Sequence, residues 1–291
     1  MIHNLINYFI SVIYLLLASI EDFRVREVPD IFSYSLIVSG VGISIIFSLI
    51  EKTWANIIGS ILGLIVAIII GSALYFTGQW GGGDFKVLMG LGTLLGVSIN
   101  SFNLSSQPFL LFMINLAIAS IIFGIIYMIY LIIRDWNNFL KEFNAPRRTT
   151  KAKLLRGIII LMFLLLVAFF FMVDMLLELK FFVLFILSSA YIIYYLISVS
   201  KALEKSSMRK EIPVSKLTEG DWITHNIIIK GKKIYEPSKT GITIEDIEKL
   251  KKSGVKTVIV KEGMPLIPAF FIAILMNILI GNWLTHFHII F

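Results

Sequence analysis

The chain has 291 residues, of which 57% are hydrophobic and 15% charged, and its mean hydropathy of +0.88 excludes a soluble domain with a hydrated surface. With no cysteine, disulfides, thiolate metal sites and a cysteine nucleophile are excluded as well. The net charge of +7 comes from basic residues gathered between apolar runs, a pattern that orients a membrane protein and does not point to nucleic acid.

A ~30 Å hydrocarbon core demands ~20 apolar residues per helix, and runs of this kind give about eight spans. They are Ile2 to Ile20, Ile31 to Ile50, Ile57 to Phe76, Phe85 to Ile99, Pro108 to Ile133, Gly157 to Leu177, Phe181 to Val199 and Leu266 to His286. The first lacks a basic flank and a small-residue cleavage site, so it reads as a retained helix and not as a removable signal peptide. The fourth is short and carries Gly90, Gly92 and Gly96, which predicts packing against other helices.

Orientation follows from the loop between Arg134 and Arg156, which holds Arg134, Lys141, Arg147, Arg148, Lys151, Lys153 and Arg156 against only Asp135 and Glu142. The positive-inside rule makes this loop cytosolic. Alternation then puts the Asp22 to Asp30 and Gly78 to Asp84 loops on the same side. Both termini fall outside, and the hydrophilic stretch Ser200 to Gly263 falls in the cytosol.

That stretch predicts a small α/β module. A hairpin is expected over Ile227 to Ile234, turning at Lys230 and Gly231, then a helix opened by Thr243 and running through Ile247 and Leu250 to a stop at Gly254. Thr243 with Asp246 resembles a capping box. A strand over Thr257 to Val260 follows. A module of ~50 residues is marginal alone, so it is expected to pack on the membrane domain.

Two acidic residues stand at cytosolic ends of predicted helices: Asp22, where the first span meets water, and Asp84, in Gly81-Gly82-Gly83-Asp84-Phe85-Lys86. Two carboxylates within a few ångströms of each other do not both ionise readily, so one keeps a proton while the other draws a proton from water. That arrangement hydrolyses a peptide without a covalent intermediate. The glycine run permits positive φ and removes bulk, so that a substrate backbone or the partner carboxylate approaches Asp84 closely. Lys86 either holds the ionised form of Asp84 or snorkels to water.

These residues resemble a known family. The Gly81 to Lys86 string matches the G-x-G-D-x-K signature of the GxGD membrane aspartic proteases, and Asp22 with Arg24, Pro29 and Asp30 is similar to the first-aspartate segment of the type IV prepilin peptidase branch. The archaeal prepilin and preflagellin (archaellin) peptidases are the most similar, because Gly263-Met264-Pro265-Leu266-Ile267-Pro268 before the final helix resembles their carboxy-terminal ends.

The resemblance implies Asp22 and Asp84 as the catalytic pair, with Gly81, Gly83 and Lys86 as motif and positioning residues. It implies cleavage of a short basic leader from type IV pilin-like or archaellin precursors at the cytosolic face of the cell membrane. The cysteine-rich zinc loop of bacterial bifunctional members is missing here, so peptidase activity without methyltransferase activity is expected. The resulting fold class is an all-α polytopic membrane protein with a small cytosolic α/β module. Its transmembrane core covers 1–199, including the first-aspartate segment 18–30, the glycine-aspartate loop 78–86 and a helical hairpin 157–199 that is extra relative to shorter members. The module covers 200–264 and the final helix 265–291.

Blander roles are expected elsewhere. Glu21 points ~100° away from Asp22 on a helix, so only one of the two faces the bundle interior. Asp30 reads as the amino-terminal cap of the second span. Asp174 and Glu178 read as loop charges, and His3, His225, His286 and His288 lack ligand spacing, so no metal and no cofactor are expected. A presenilin-like protease would carry its first aspartate within a span in a Tyr-Asp setting. From another class stands a transporter or channel in which Asp84 binds an ion at a glycine-broken helix. In a third reading, 200–263 binds a secretion-machine partner and the membrane part only anchors it.

Overall fold

Small residues at every fourth position decide how the first helices meet. The computed structural model describes residues 2–26, 28–100, 103–145, 150–172, 177–229 and 231–281. Asp174, Arg147, Arg148, Lys230, His286 and His288 lie outside the described residues. The chain divides into two compact units, Met1–Tyr127 with Lys210–Phe291 and Met128–Arg209.

In the first unit α1 spans Ile2–Val25, α2 Asp30–Ile50, α3 Ala55–Phe76 and α4 Gly82–Leu95, and α5 (Pro108–Arg134) begins there. Helix α3 buries Gly59, Gly63, Ala67 and Gly71 on one stripe and leaves Ile58, Ile61, Ile65 and Ile69 exposed. Without side chains in the way, its backbone comes up against α4: a Cβ on Gly63 would run into the Gly92 carbonyl oxygen, and one on Gly71 into the Phe85 ring. Helix α2 does the same with Gly40, which sits against Thr93 and Leu94. Close approach of this kind is how helices associate where the solvent is as apolar as their side chains. Helix α4 is thereby enclosed, with Val87, Leu88, Leu91 and Leu94 fully buried, as its glycines predicted.

The last described helix of this unit, α10 (Ile267–Leu279), packs on α1. Cross-helix polar bonds fix the register: Asn7 donates to the Leu94 carbonyl at 2.6 Å, and Asn277 donates to the Pro108 carbonyl at 3.0 Å while accepting from Asn115. By length and apolarity α1, α2, α3, α5 and Leu184–Ser207 suffice to cross a membrane, while Arg156–Phe170 and Ile267–Leu279 are shorter. The about eight predicted runs thus appear as helices, of which five reach spanning length among the described residues.

The hydrophilic module forms its own core of Val214, Leu217, Ile223, Ile242, Ile247, Leu250, Val258 and Val260, among others. Strands β1 (Arg209–Pro213), β2 (Trp222–Ile223) and β5 (Thr257–Lys261) make one sheet in the order β1-β5-β2, and β3 (Ile227–Ile229) pairs antiparallel with β4 (Lys232–Tyr235). The expected hairpin, helix and last strand are all present. Helix α9 (Ile244–Lys252) opens on Thr243, whose hydroxyl accepts the Asp246 amide at 3.3 Å, and ends before Gly254 at φ 77. β1 and β2 are additions that the sequence reading did not contain.

In the second unit α7 (Thr150–Met172) and α8 (Leu177–Ser207) follow a short helix, α6 (Trp136–Asn144). Helix α6 packs on α8 and buries Phe139. A helix inside the basic loop was not expected there. Its apolar positions Trp136, Phe139 and Phe143 recur at helical spacing, but over only nine residues among charges.

Candidate active site

The two acidic residues singled out from the sequence are brought together. Asp22 lies in the last turn of α1, 6% exposed, facing α10 and α4 rather than water. Its Oδ2 accepts the backbone N–H of Ile267 at 3.0 Å, a donor left free because the first turn of α10 has no intrahelical acceptor for it. Asp84 is the third residue of α4, partly exposed, and its Oδ2 accepts the Gly81 N–H at 3.0 Å, so the carboxylate caps its own helix. The two groups are close enough for their charges to act on each other, and Arg26 acts on Asp22 as well.

The neighbours of Asp22 on α1 separate as helical geometry requires. Glu21 is partly exposed and pairs with Arg24 at 3.5 Å, which leaves Asp22 to the interior. Arg26 turns left-handed at φ 63, an uncommon conformation for a non-glycine residue. Its Nη2 donates to the Tyr127 hydroxyl at 2.8 Å and its guanidinium lies 5.6 Å from that ring's centroid, while the buried Nη1 has no partner among the described residues.

Three readings are corrected. Asp30 is the first residue of α2 and not its cap: Pro29 holds that position, with no side-chain cap bond. The Asp30 carboxylate instead accepts Lys86 Nζ at 2.6 Å, so Lys86 ties the start of α4 to the start of α2 and does not pair with Asp84. The glycine run has no positive φ; Gly81 sits at φ -76 and Gly82 and Gly83 begin α4. The left-handed glycine of this loop is Gly78, at φ 72, where it ends α3. Added Cβ atoms on Gly81, Gly82 or Gly83 would meet nothing closer than 3.4 Å, so the run keeps space open in front of Asp84 without being needed for close packing.

The sequence reading missed the Ile267 amide and Tyr127. A backbone donor has no side-chain signature, although the Gly263 to Pro268 string that supplies it stood out as similar to a family's carboxy-terminal end. Among the described residues no three His, Asp or Glu gather as metal ligands. Helix α4 runs unbroken from Gly82 to Leu95, so the glycines start a helix and do not interrupt one, which disfavours the ion-carrier alternative.

Residues 9–129 match the type IV leader peptidase family, and both aspartates fall within that match. The chain is 34% identical over 138 residues to a preflagellin peptidase of Methanococcus maripaludis, covering 44% of this chain and 56% of that protein. It is 34% identical over 141 residues to a preflagellin peptidase of Methanocaldococcus jannaschii, covering 45% and 59%. A preflagellin peptidase of Methanococcus voltae is 37% identical over 91 residues. The chain spans about half the length of the curated relatives it matches. These matches bear out the resemblance drawn from the motifs.

Proposed function

We propose that this chain is a membrane aspartic endopeptidase that removes short basic leaders from type IV pilin-like or archaellin precursors at the cytosolic face, with Asp22 and Asp84 as its catalytic residues. The observation that carries the reading is the meeting of two electrostatically coupled carboxyl groups, far apart in sequence, at one end of an apolar helix bundle. The names of the relatives support an archaellin-type precursor, and the basic loop before Arg156 supports the cytosolic side.

The chemistry follows from the pair. One carboxylate takes a proton from water while the resulting hydroxide oxygen bonds to the scissile carbonyl carbon, and the protonated partner gives its proton to the carbonyl oxygen. Collapse of the tetrahedral intermediate breaks the C–N bond as the leaving nitrogen is protonated, so one peptide and one water give an acid and an amine. The Ile267 and Gly81 amides each hold one oxygen of a carboxyl group and so fix the orientation of the pair. Gly81 and Gly83 leave room for an extended substrate, and Lys86 with Asp30 steadies the loop.

Incubating membranes that contain the chain with a synthetic precursor, basic leader followed by hydrophobic segment, tests this by mass. A single cut just before the hydrophobic segment is expected, with product masses summing to substrate plus one water. An intact precursor, or cuts scattered within the leader, would contradict the proposal.

A further inference from the structure

The hydrophilic module touches the loop that leads to Asp84 and runs on into the helix that bonds Asp22. Its loop at Lys239 rests on Gly78, where a Cβ would lie 3.0 Å from the Lys239 carbonyl oxygen and 3.4 Å from its Cβ. Gly78 is six residues before Asp84 and three before Gly81, whose amide holds the Asp84 carboxylate. Both sides of this contact are firm. Gly78 closes α3 with its N–H on the Tyr75 carbonyl at 2.9 Å, and the Gln79 N–H reaches Leu74 at 3.0 Å. The Lys239 loop is tied to the module core through Gly241, at φ 87 against the Gly220 backbone, and through Ile242, which exchanges bonds of 2.9 Å with Gly220 and Asp221.

The second link is covalent. β5 ends at Lys261, six residues before Ile267, the donor to Asp22. The connection is held to the module as it leaves: Glu262 pairs with Lys210 at 2.6 Å, and Gly263 passes the Trp222 ring. The module therefore holds both the loop that leads to Asp84 and the helix start that bonds Asp22.

We propose that the module that begins at Lys210 and ends with β5 at Lys261 is a positioning device that sets the separation of Asp22 and Asp84 through the Lys239–Gly78 contact and the β5–α10 link. The effect on rate rests on the aspartic-protease reading; the contact itself does not. Among the described residues, the charge besides each other that acts on the pair is Arg26, on Asp22, and neither variant below touches it.

Two full-length variants test this. Inserting two glycines between Glu262 and Gly263 lengthens the link without entering either core. Gly78→Asn adds bulk against Lys239 at a left-handed position that asparagine tolerates. For each, kcat is measured against pH on the leader-bearing peptide, and amide exchange is followed at 79–84 and 264–267 in the full chain.

Both variants are expected to lower the maximal kcat about 10- to 100-fold with KM unchanged, to narrow the bell-shaped profile and to raise exchange in both segments. Narrowing is the decisive sign, because carboxyl groups held farther apart couple less and their two apparent titrations converge. A merely unstable variant lowers the bell without changing its width. A profile of wild-type width in both variants overturns the proposal. If the wild type cleaves no precursor at all, the protease reading fails, and exchange alone decides: unchanged protection at 79–84 and 264–267 in the insertion variant overturns the positioning role, and increased exchange there sustains it.

Discussion

Asp22 and Glu21 are chemically alike and adjacent, yet only Asp22 is buried, because one step along a helix turns a side chain by ~100°. That distinction was legible from sequence, as was the pairing of Asp22 with the glycine-aspartate loop. What Lys86 holds was not, since nothing local says that a lysine at the start of α4 meets the start of α2. The Lys86–Asp30 pair is partly exposed, so its contribution is at most about 1 kcal/mol, or roughly fivefold in an equilibrium. Reversing one charge, Lys86→Glu, is expected to slow leader cleavage severalfold. Adding Asp30→Lys should restore most of the rate, which initial rates of the two variants will check; a double variant slower than the single one would deny the pair its role.

At the scale of elements, the stripe of Gly59, Gly63, Ala67 and Gly71 decides whether α4 sits deep enough to bring Asp84 to Asp22. The glycines of α4 drew attention in the sequence, while their counterparts on α3 went unread because a four-residue spacing of small residues looks like ordinary apolar sequence. Gly92→Ala would press its new methyl on the Gly63 carbonyl and Ala67. Thermal unfolding in detergent should show a loss of about 1–3 kcal/mol, the usual cost of overpacking a tight contact.

In the module, Thr243 was readable as a cap because Ser and Thr before an apolar period have a mechanism. β1 and β2 were not readable, being short and without alternation. Thr243→Ala should cost about 1 kcal/mol, seen as faster amide exchange across α9. Asp246 accepts from Lys249 at 2.9 Å, and this bond holds its carboxyl below the ordinary carboxylate range. A lowered folded-state value stabilises above the unfolded pKa and is lost as pH falls through the folded one. Protection of α9 is therefore expected to weaken below about pH 4, and constant protection down to strongly acidic pH would contradict this.

For the whole molecule, composition was enough to read a multi-pass apolar architecture, and among the described residues five helices are long and apolar enough to cross a membrane on their own. Helix α4 fails the length test, at 14 residues, because it is enclosed by protein. The complete absence of cysteine makes the proposed topology directly checkable: single cysteines at Glu51 and His225 should react with an impermeant thiol reagent from opposite sides of sealed vesicles. Labelling of both from one side would refute the orientation.

Leader cleavage by this chain requires two acidic side chains acting as one unit. Asp22→Asn and Asp84→Asn, made separately in the full chain and assayed on a leader-bearing precursor, are each expected to abolish cleavage while the protein still inserts and binds that precursor. Near wild-type turnover by either variant would contradict that requirement.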